Sequence, residues 1–229
     1  TFVNHLAYVL AGAALSEESD WRAATHNAFA APPFPLRVIL RRWSAGLDAG
    51  SRAGLSLVYT ALRAATGLEQ AALERRLARP DCLVLFDGLD EAPNANPDNP
   101  AAPDRRRLIV ESVQAFCTAH PTCRVLVTSR VKPYEQGSVR LDGVPVHRLA
   151  ELDDSRVGRF VANWYAELAR IDPERAERAA RAEDRLQRAL GSRPALREMA
   201  GTPLLLTMLA TVNTWAGLPE SRAERYDRC

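Results

Sequence analysis

In "CLVLFDGLDEAPN", Cys82 to Asn94, four apolar residues run straight into three carboxylates, Asp87, Asp90 and Glu91. A second apolar run closes at Arg130 in "VLVTSR". A buried strand that ends in so much negative charge implies something cationic at its end. In an open parallel sheet, ligands bind beyond the carboxyl ends of the strands, so two such strands side by side would bring acid and base to one edge. Magnesium and phosphate suit that edge. Asp87 would orient a hydrated Mg2+, which keeps most of its water and bridges phosphate oxygens. A second carboxylate, three or four residues on at Asp90 or Glu91, would orient an attacking water. Arg130 would meet charge developing on the terminal phosphate. Against this stand two plainer readings: a solvated turn with helix-capping acids, and an arginine in a surface ion pair.

The elements that must position these residues follow from the apolar pattern. Leu83–Phe86 and Val125–Val127 are apolar without alternation, as in strands of a parallel sheet covered on both faces. In "FPLRVILRRW", Leu36, Val38 and Leu40 alternate with Arg37, Ile39 and Arg41, which predicts a strand near the sheet edge. Helices are predicted over 52–65 on Leu55, Val58, Tyr59 and Leu62, and in "LEQAALERRLA" on Leu68, Ala72, Leu73 and Leu77. Another is predicted in "DRRRLIVESVQAFCTAH", where Ile109, Val113 and Phe116 share a face. The opening "TFVNHLAYVLAG" places Phe2, Leu6, Val9 and Leu10 at helical spacing, with Gly12 in the C-cap region. A last short strand is predicted at "VPVHRLAEL". Strand and helix alternate throughout, which argues for an α/β core over 1–150.

Beyond about residue 150 the period is helical. Val157, Phe160, Val161, Trp164, Tyr165 and Leu168 form one stripe, read as core packing rather than a partner surface. Pro173 to Arg188 reads as a highly charged, mostly solvated helix. "SRPALREMAGTPLLLTMLATVNTW" gives two more helices separated by Gly201, with Thr202 as N-cap and Pro203 as first helical residue. Residues 151–229 are therefore expected to form an all-helical subdomain. Two loops break the pattern, the polar "SEESDW" and the Pro- and Asn-rich stretch from Ala92 to Pro103, which is long enough to be a lid.

A phosphate cradle is missing from this inventory. No G-x-x-x-x-G-K-[ST] occurs, and the one lysine, Lys132, lies in "SRVKPY". A P-loop leads directly into a helix, and this sequence opens within one, with no N-cap before Thr1. The expectation is a cut at or just after the loop, with Thr1 as the Mg2+-binding hydroxyl or the residue that follows it.

The composition narrows the field. With 229 residues, 47% apolar and 25% charged, the chain fits a soluble globular protein of one large domain or a core plus a smaller one. A net charge of +2 gives no electrostatic case for nucleic acid or an anionic membrane, and no run of 18 apolar residues spans a bilayer. Cys82, Cys117, Cys123 and Cys229 show no disulfide framework, which fits a reducing, cytoplasmic setting. Cys117, His120 and Cys123 make a C-x2-H-x2-C pattern. A structural zinc takes four ligands, usually as two separated pairs, so ordinary packing is the preferred reading.

"CLVLFDGLDEAP", "CRVLVTSRVKPY" and "MAGTPLLLTMLATV", in this order and spacing, resemble the NACHT branch of the STAND signalling NTPases. "FPLRVILRRW" is similar to their second strand, and "LPESRAERYDRC" to the segment that leads into their winged-helix domain. The resemblance covers nearly the whole chain, and D-G-L-D-E-A is its most specific piece. It implies a P-loop NTPase-type parallel sheet flanked by helices, followed by the helical subdomain. It further implies that Asp87 is the Walker B aspartate on Mg2+, that Asp90 and Glu91 polarise water, and that Arg130 senses the γ-phosphate. Gly201, Thr202 and Pro203 would form the G-x-P element, whose proline packs on the nucleotide base. Members of this class are switches, closed with ADP and opened by a trigger and ATP, that self-associate to activate an effector. The resemblance thus implies ATP/ADP and Mg2+ as cofactors, with GTP the alternative nucleotide, and sensor and effector domains outside this chain. Two features of the class are missing, the Walker A loop and the winged-helix histidine. The piece alone is therefore expected to bind nucleotide poorly. Rival expectations are a AAA+ remodelling ATPase and a non-enzymatic scaffold on a degenerate fold.

Overall fold

The structure, a computed structural model, describes residues 2–15, 21–25, 29–93, 104–137 and 140–215. Thr1, most of the Pro- and Asn-rich loop, and "LPESRAERYDRC" lie outside the described residues. The chain divides into two compact units, Thr1–Val146 and His147–Cys229.

The first unit is mixed α/β, built on a small parallel sheet of three strands, β1 (Phe34–Ile39), β2 (Cys82–Asp87) and β3 (Arg124–Val127), in that spatial order. Its helices are α1 (Phe2–Ala14), α2 (Trp21–Ala24), α3 (Leu40–Ala45), α4 (Leu55–Thr66), α5 (Gln70–Leu77), α6 (Arg105–Ala119) and α7 (Val131–Gln136). The central strand explains its own unbroken apolar run. Val84 and Phe86 point to one face, packed with Leu36, Val38, Val58, Leu62, Ile109, Val113 and Phe116. Leu83 and Leu85 point to the other, packed with Val3, Leu6 and Leu10 of α1. Side chains of a strand alternate between faces, so a strand covered on both needs apolar residues at every position.

Several sequence expectations need correcting. In α1 the buried stripe is Val3, Leu6, Val9 and Leu10; Phe2 is exposed, and Gly12 stays inside the helix. β1 ends at Ile39 rather than running through Arg41. Leu40, Trp43, Ser44 and Leu47 are buried at helical spacing, so the apolar period switches from 2 to 3.6 at that point and α3 begins. Residues 144–152 form no strand. Among the described residues no neighbouring strand pairs with them, and Val146 and Leu149 are exposed. The short helix α7 has Pro133 in its first turn, where the missing N–H would have had no intrahelical partner.

The second unit is helical: α8 (Asp154–Ile171), α9 (Ala176–Ser192), α10 (Pro194–Ala200) and α11 (Pro203–Trp215). The Asp153 carboxylate caps α8 by accepting from the Arg156 N–H at 2.8 Å. Val157, Val161 and Tyr165 pack with Leu206, Leu209 and Ala210. The charged helix α9 is mostly solvated and buries a narrow stripe, Ala179, Ala182, Leu186 and Leu190, in the same core. No described helix is long and apolar enough to cross a membrane.

Candidate functional site

The ends of β1 and β2 are level, with Ile39 opposite Asp87, and β3 runs alongside with Val127 opposite Phe86. Just past Asp87, Gly88 takes a left-handed φ of 83°, a conformation that strains any residue with a Cβ. A Cβ there would also come within 3.3 Å of the Glu91 side chain. This turn feeds a single 3-10 turn, Leu89–Glu91, pinned by Leu89, which is 1% exposed. A glycine to reverse the chain and a leucine to anchor it leave Asp87, Asp90 and Glu91 on one edge.

β3 supplies the clamp. Thr128 hydrogen-bonds to this turn four times. Its N–H donates to the Phe86 carbonyl at 2.9 Å, and its carbonyl accepts from the Leu89 N–H at 2.8 Å. Its hydroxyl donates to Asp87 Oδ1 at 2.9 Å and accepts from the Gly88 N–H at 3.0 Å. Two further straps come from Arg106, which is 3% exposed: its N–H donates to the Pro93 carbonyl and its Nη2 to the Pro133 carbonyl, each at 3.0 Å.

Each carboxylate meets an arginine. Arg37 Nη2 lies 2.6 Å from Asp87 Oδ2. Arg37 sits opposite Leu85, so its long side chain reaches one pair further along the same face to Asp87. Asp90 is engaged on both oxygens: Oδ1 accepts from the Arg130 N–H at 3.0 Å, and Oδ2 is 3.3 Å from Arg130 Nε. Glu91 is held loosely, 3.8 Å from Arg41 Nε, and its side chain is 44% exposed against 9% for Asp90. The two adjacent acids are therefore unlike. Asp90 fixes the start of α7 and the arginine beside it, whereas Glu91 stands open to solvent.

Asp87, Asp90, Glu91 and Arg130 thus meet at one edge. Thr1 lies outside the described residues. Gly201, Thr202 and Pro203 belong to the second unit, where Gly201 and Thr202 join α10 to α11 and Pro203 opens α11. There the Gly201 carbonyl accepts from the Leu152 N–H at 2.8 Å, and a Cβ on Gly201 would come within 3.2 Å of Glu151 Oε2. The Thr202 carbonyl accepts from the Leu206 N–H in the first turn of α11. Sequence reasoning missed Arg37, Arg41, Thr128 and Arg106 as partners. The one available signal was Arg37 interrupting an otherwise apolar strand.

The cysteine–histidine pattern resolves into packing contacts. His120 Nε2 is 3.0 Å from the Tyr59 hydroxyl, and its ring lies against Phe116 with centroids 4.7 Å apart. Burial holds this imidazole below its ordinary pKa. Cys123 shares a hydrogen bond with Cys82, and that contact together with burial pushes the Cys123 thiol far up. Among the described residues, no three His, Cys, Asp or Glu side chains converge as metal ligands.

Fold and site together define an α/β domain whose small parallel sheet carries a cluster of arginine–carboxylate pairs at its carboxyl edge. No family model matches the chain, and no curated protein matches it significantly.

Proposed function

We propose that this chain is most of the engine of a nucleotide-driven signalling switch. In this reading it is a P-loop NTPase of the NACHT type that binds and slowly hydrolyses ATP, with GTP the alternative, to control self-association and an attached effector. The observation that carries the reading is the meeting of Asp87 with Thr128, and of Asp90 with Arg130, both just past the end of the neighbouring parallel strand, at the edge where such sheets bind ligands.

The residues present fit a hydrated magnesium ion. Each Asp87 oxygen accepts one hydrogen bond and keeps a second lone pair, and the side chain is 19% exposed, which suits contact through water. Asp87 and the Thr1 hydroxyl would hold the ion, which supplies charge neutralisation on the phosphates. Glu91, the exposed acid, is the better placed of the pair to orient water. Asp90 would act by positioning Arg130, whose side chain is 80% exposed and able to reach an anion. Gly201, Thr202 and Pro203 would contact the base.

The full pairing of all three carboxylates with arginines favours a second reading, a non-enzymatic scaffold in which these pairs only hold the turn. Two steps separate the readings. First, the codons upstream of Thr1 are read for G-x-x-x-x-G-K-[ST]. Second, ATP binding is measured with and without Mg2+ on the chain extended upstream, in wild type and Asp87→Asn. We expect Mg2+ to tighten binding to wild type by about tenfold or more, and to do little for the variant. Equal Mg2+ dependence in the two, or no binding by a folded wild type, favours the scaffold.

A further inference from the structure

We propose that Arg37 makes this edge a receptor for the anionic metal–nucleotide complex and denies it to a free divalent cation. The inference rests on the nucleotide reading above and names what selects the ligand.

Three acids, Asp87, Asp90 and Glu91, face three arginines, Arg37, Arg130 and Arg41, so these six side chains carry no net charge. A cluster of bare carboxylates would collect divalent cations from solution. Here a cation approaching Asp87 also meets a guanidinium nitrogen 2.6 Å from the same carboxylate, and like-charge repulsion offsets the attraction. A magnesium–triphosphate complex is an anion. Its phosphates can engage Arg130, which is mostly exposed, while its metal shares Asp87.

Arg37 is suited to this role by its position. Its pairing with Asp87 spans the β1–β2 register diagonally, between two strands whose backbones are hydrogen-bonded, so the pair is fixed by the sheet rather than by a loop. The Thr128 hydroxyl holds the other oxygen, which leaves Asp87 little freedom to turn away. By contrast, Arg37 Nε is buried without a hydrogen-bond partner. Asp87 is the one ion-pair partner of Arg37 among the described residues, so the guanidinium answers to the state of that carboxylate alone.

The test uses Mn2+ as the probe, on the chain extended upstream of Thr1, with protein-bound Mn2+ separated from free Mn2+ and free Mn2+–ATP by equilibrium dialysis. Wild type should take up Mn2+ with ATP and little without it. Arg37→Met should take up Mn2+ alone about tenfold more tightly than wild type. Arg37→Lys should return to wild-type behaviour, and adding Asp87→Asn to Arg37→Met should abolish the gain. Circular dichroism checks the fold; if Arg37→Met fails to fold, Arg37→Gln keeps the length and a donor without the charge. Equal uptake of Mn2+ alone by wild type and variant, with Mn2+–ATP binding intact in both, overturns the role of Arg37 and leaves the nucleotide reading standing. If a folded wild type takes up no Mn2+–ATP, both fall.

Discussion

Polar side chains gather in two places in this chain, and they are held in opposite ways. At the sheet edge the arginine–carboxylate pairs are partly open to solvent, with Glu91 the most open of the acids and Arg130 the most open of the arginines. In the helical unit the gathering is built around a buried amide, with Arg185 at its exposed margin. Asn213, which is 0% exposed, donates to the Tyr165 hydroxyl and to the Ala182 carbonyl at 2.7 Å each, and accepts from Arg185 Nε at 2.8 Å. The Tyr165 hydroxyl donates onward to the Ala210 carbonyl at 3.2 Å. This network ties α8, α9 and α11 together and leaves none of these groups without a partner. A buried polar network that is fully satisfied specifies packing, whereas pairs partly open to solvent are available to a ligand. The first should be costly to break and chemically idle; the second should be cheap to break and decisive for binding.

Breaking the helical network should have the largest effect on stability. Asn213→Ala removes the hub and takes a buried partner from the Tyr165 hydroxyl and the Ala182 carbonyl, at a cost of roughly 2–4 kcal/mol. Urea unfolding would show this as a lower midpoint at unchanged slope. Tyr165→Phe removes one hydroxyl from the same network and should cost about 1–2 kcal/mol by the same measurement. At the sheet edge, Asp87→Asn should shift stability by less than about 1 kcal/mol, because the pair it breaks is partly solvated. A loss above that would make the edge as structural as the helical network and would weaken the contrast.

A smaller effect is expected from pH. Burial depresses the His120 pKa, so the folded state favours the neutral ring, and the unfolded chain binds the proton more readily. Stability from this group is complete above the ordinary histidine value of about 6.5 and is lost as the pH falls through the lower folded value. His120→Gln should flatten the pH dependence of thermal unfolding in that window; an unchanged slope would assign it to other groups.

The sequence disclosed most where one residue class repeats along one element. The double-sided run Leu83–Phe86 and the Ile109–Val113–Phe116 face were legible because burial demands apolar side chains at fixed spacing. The switch at Leu40 was not, since Leu36, Val38 and Leu40 continue the strand alternation while Leu40, Trp43 and Leu47 already obey the helical one. The three acids and Arg130 could be picked out because charge directly after a buried strand is unusual. Their partners could not. Arg37 reaches Asp87 across a parallel register, and Thr128 reaches it from a strand 41 residues away, so neither contact has a local signature. The division of labour between Asp90 and Glu91 was equally hidden, because it depends on which acid the turn presses against Arg130.

The most direct measurement compares ATP binding and turnover by wild type and Glu91→Gln, on the chain extended upstream of Thr1. We expect slow turnover by wild type, and a variant that binds ATP as tightly yet stalls, because in the proposed reading the exposed acid would orient water while Asp87 would hold the metal. A folded wild type that binds no nucleotide, or a variant that turns over as fast as wild type, would contradict this assignment.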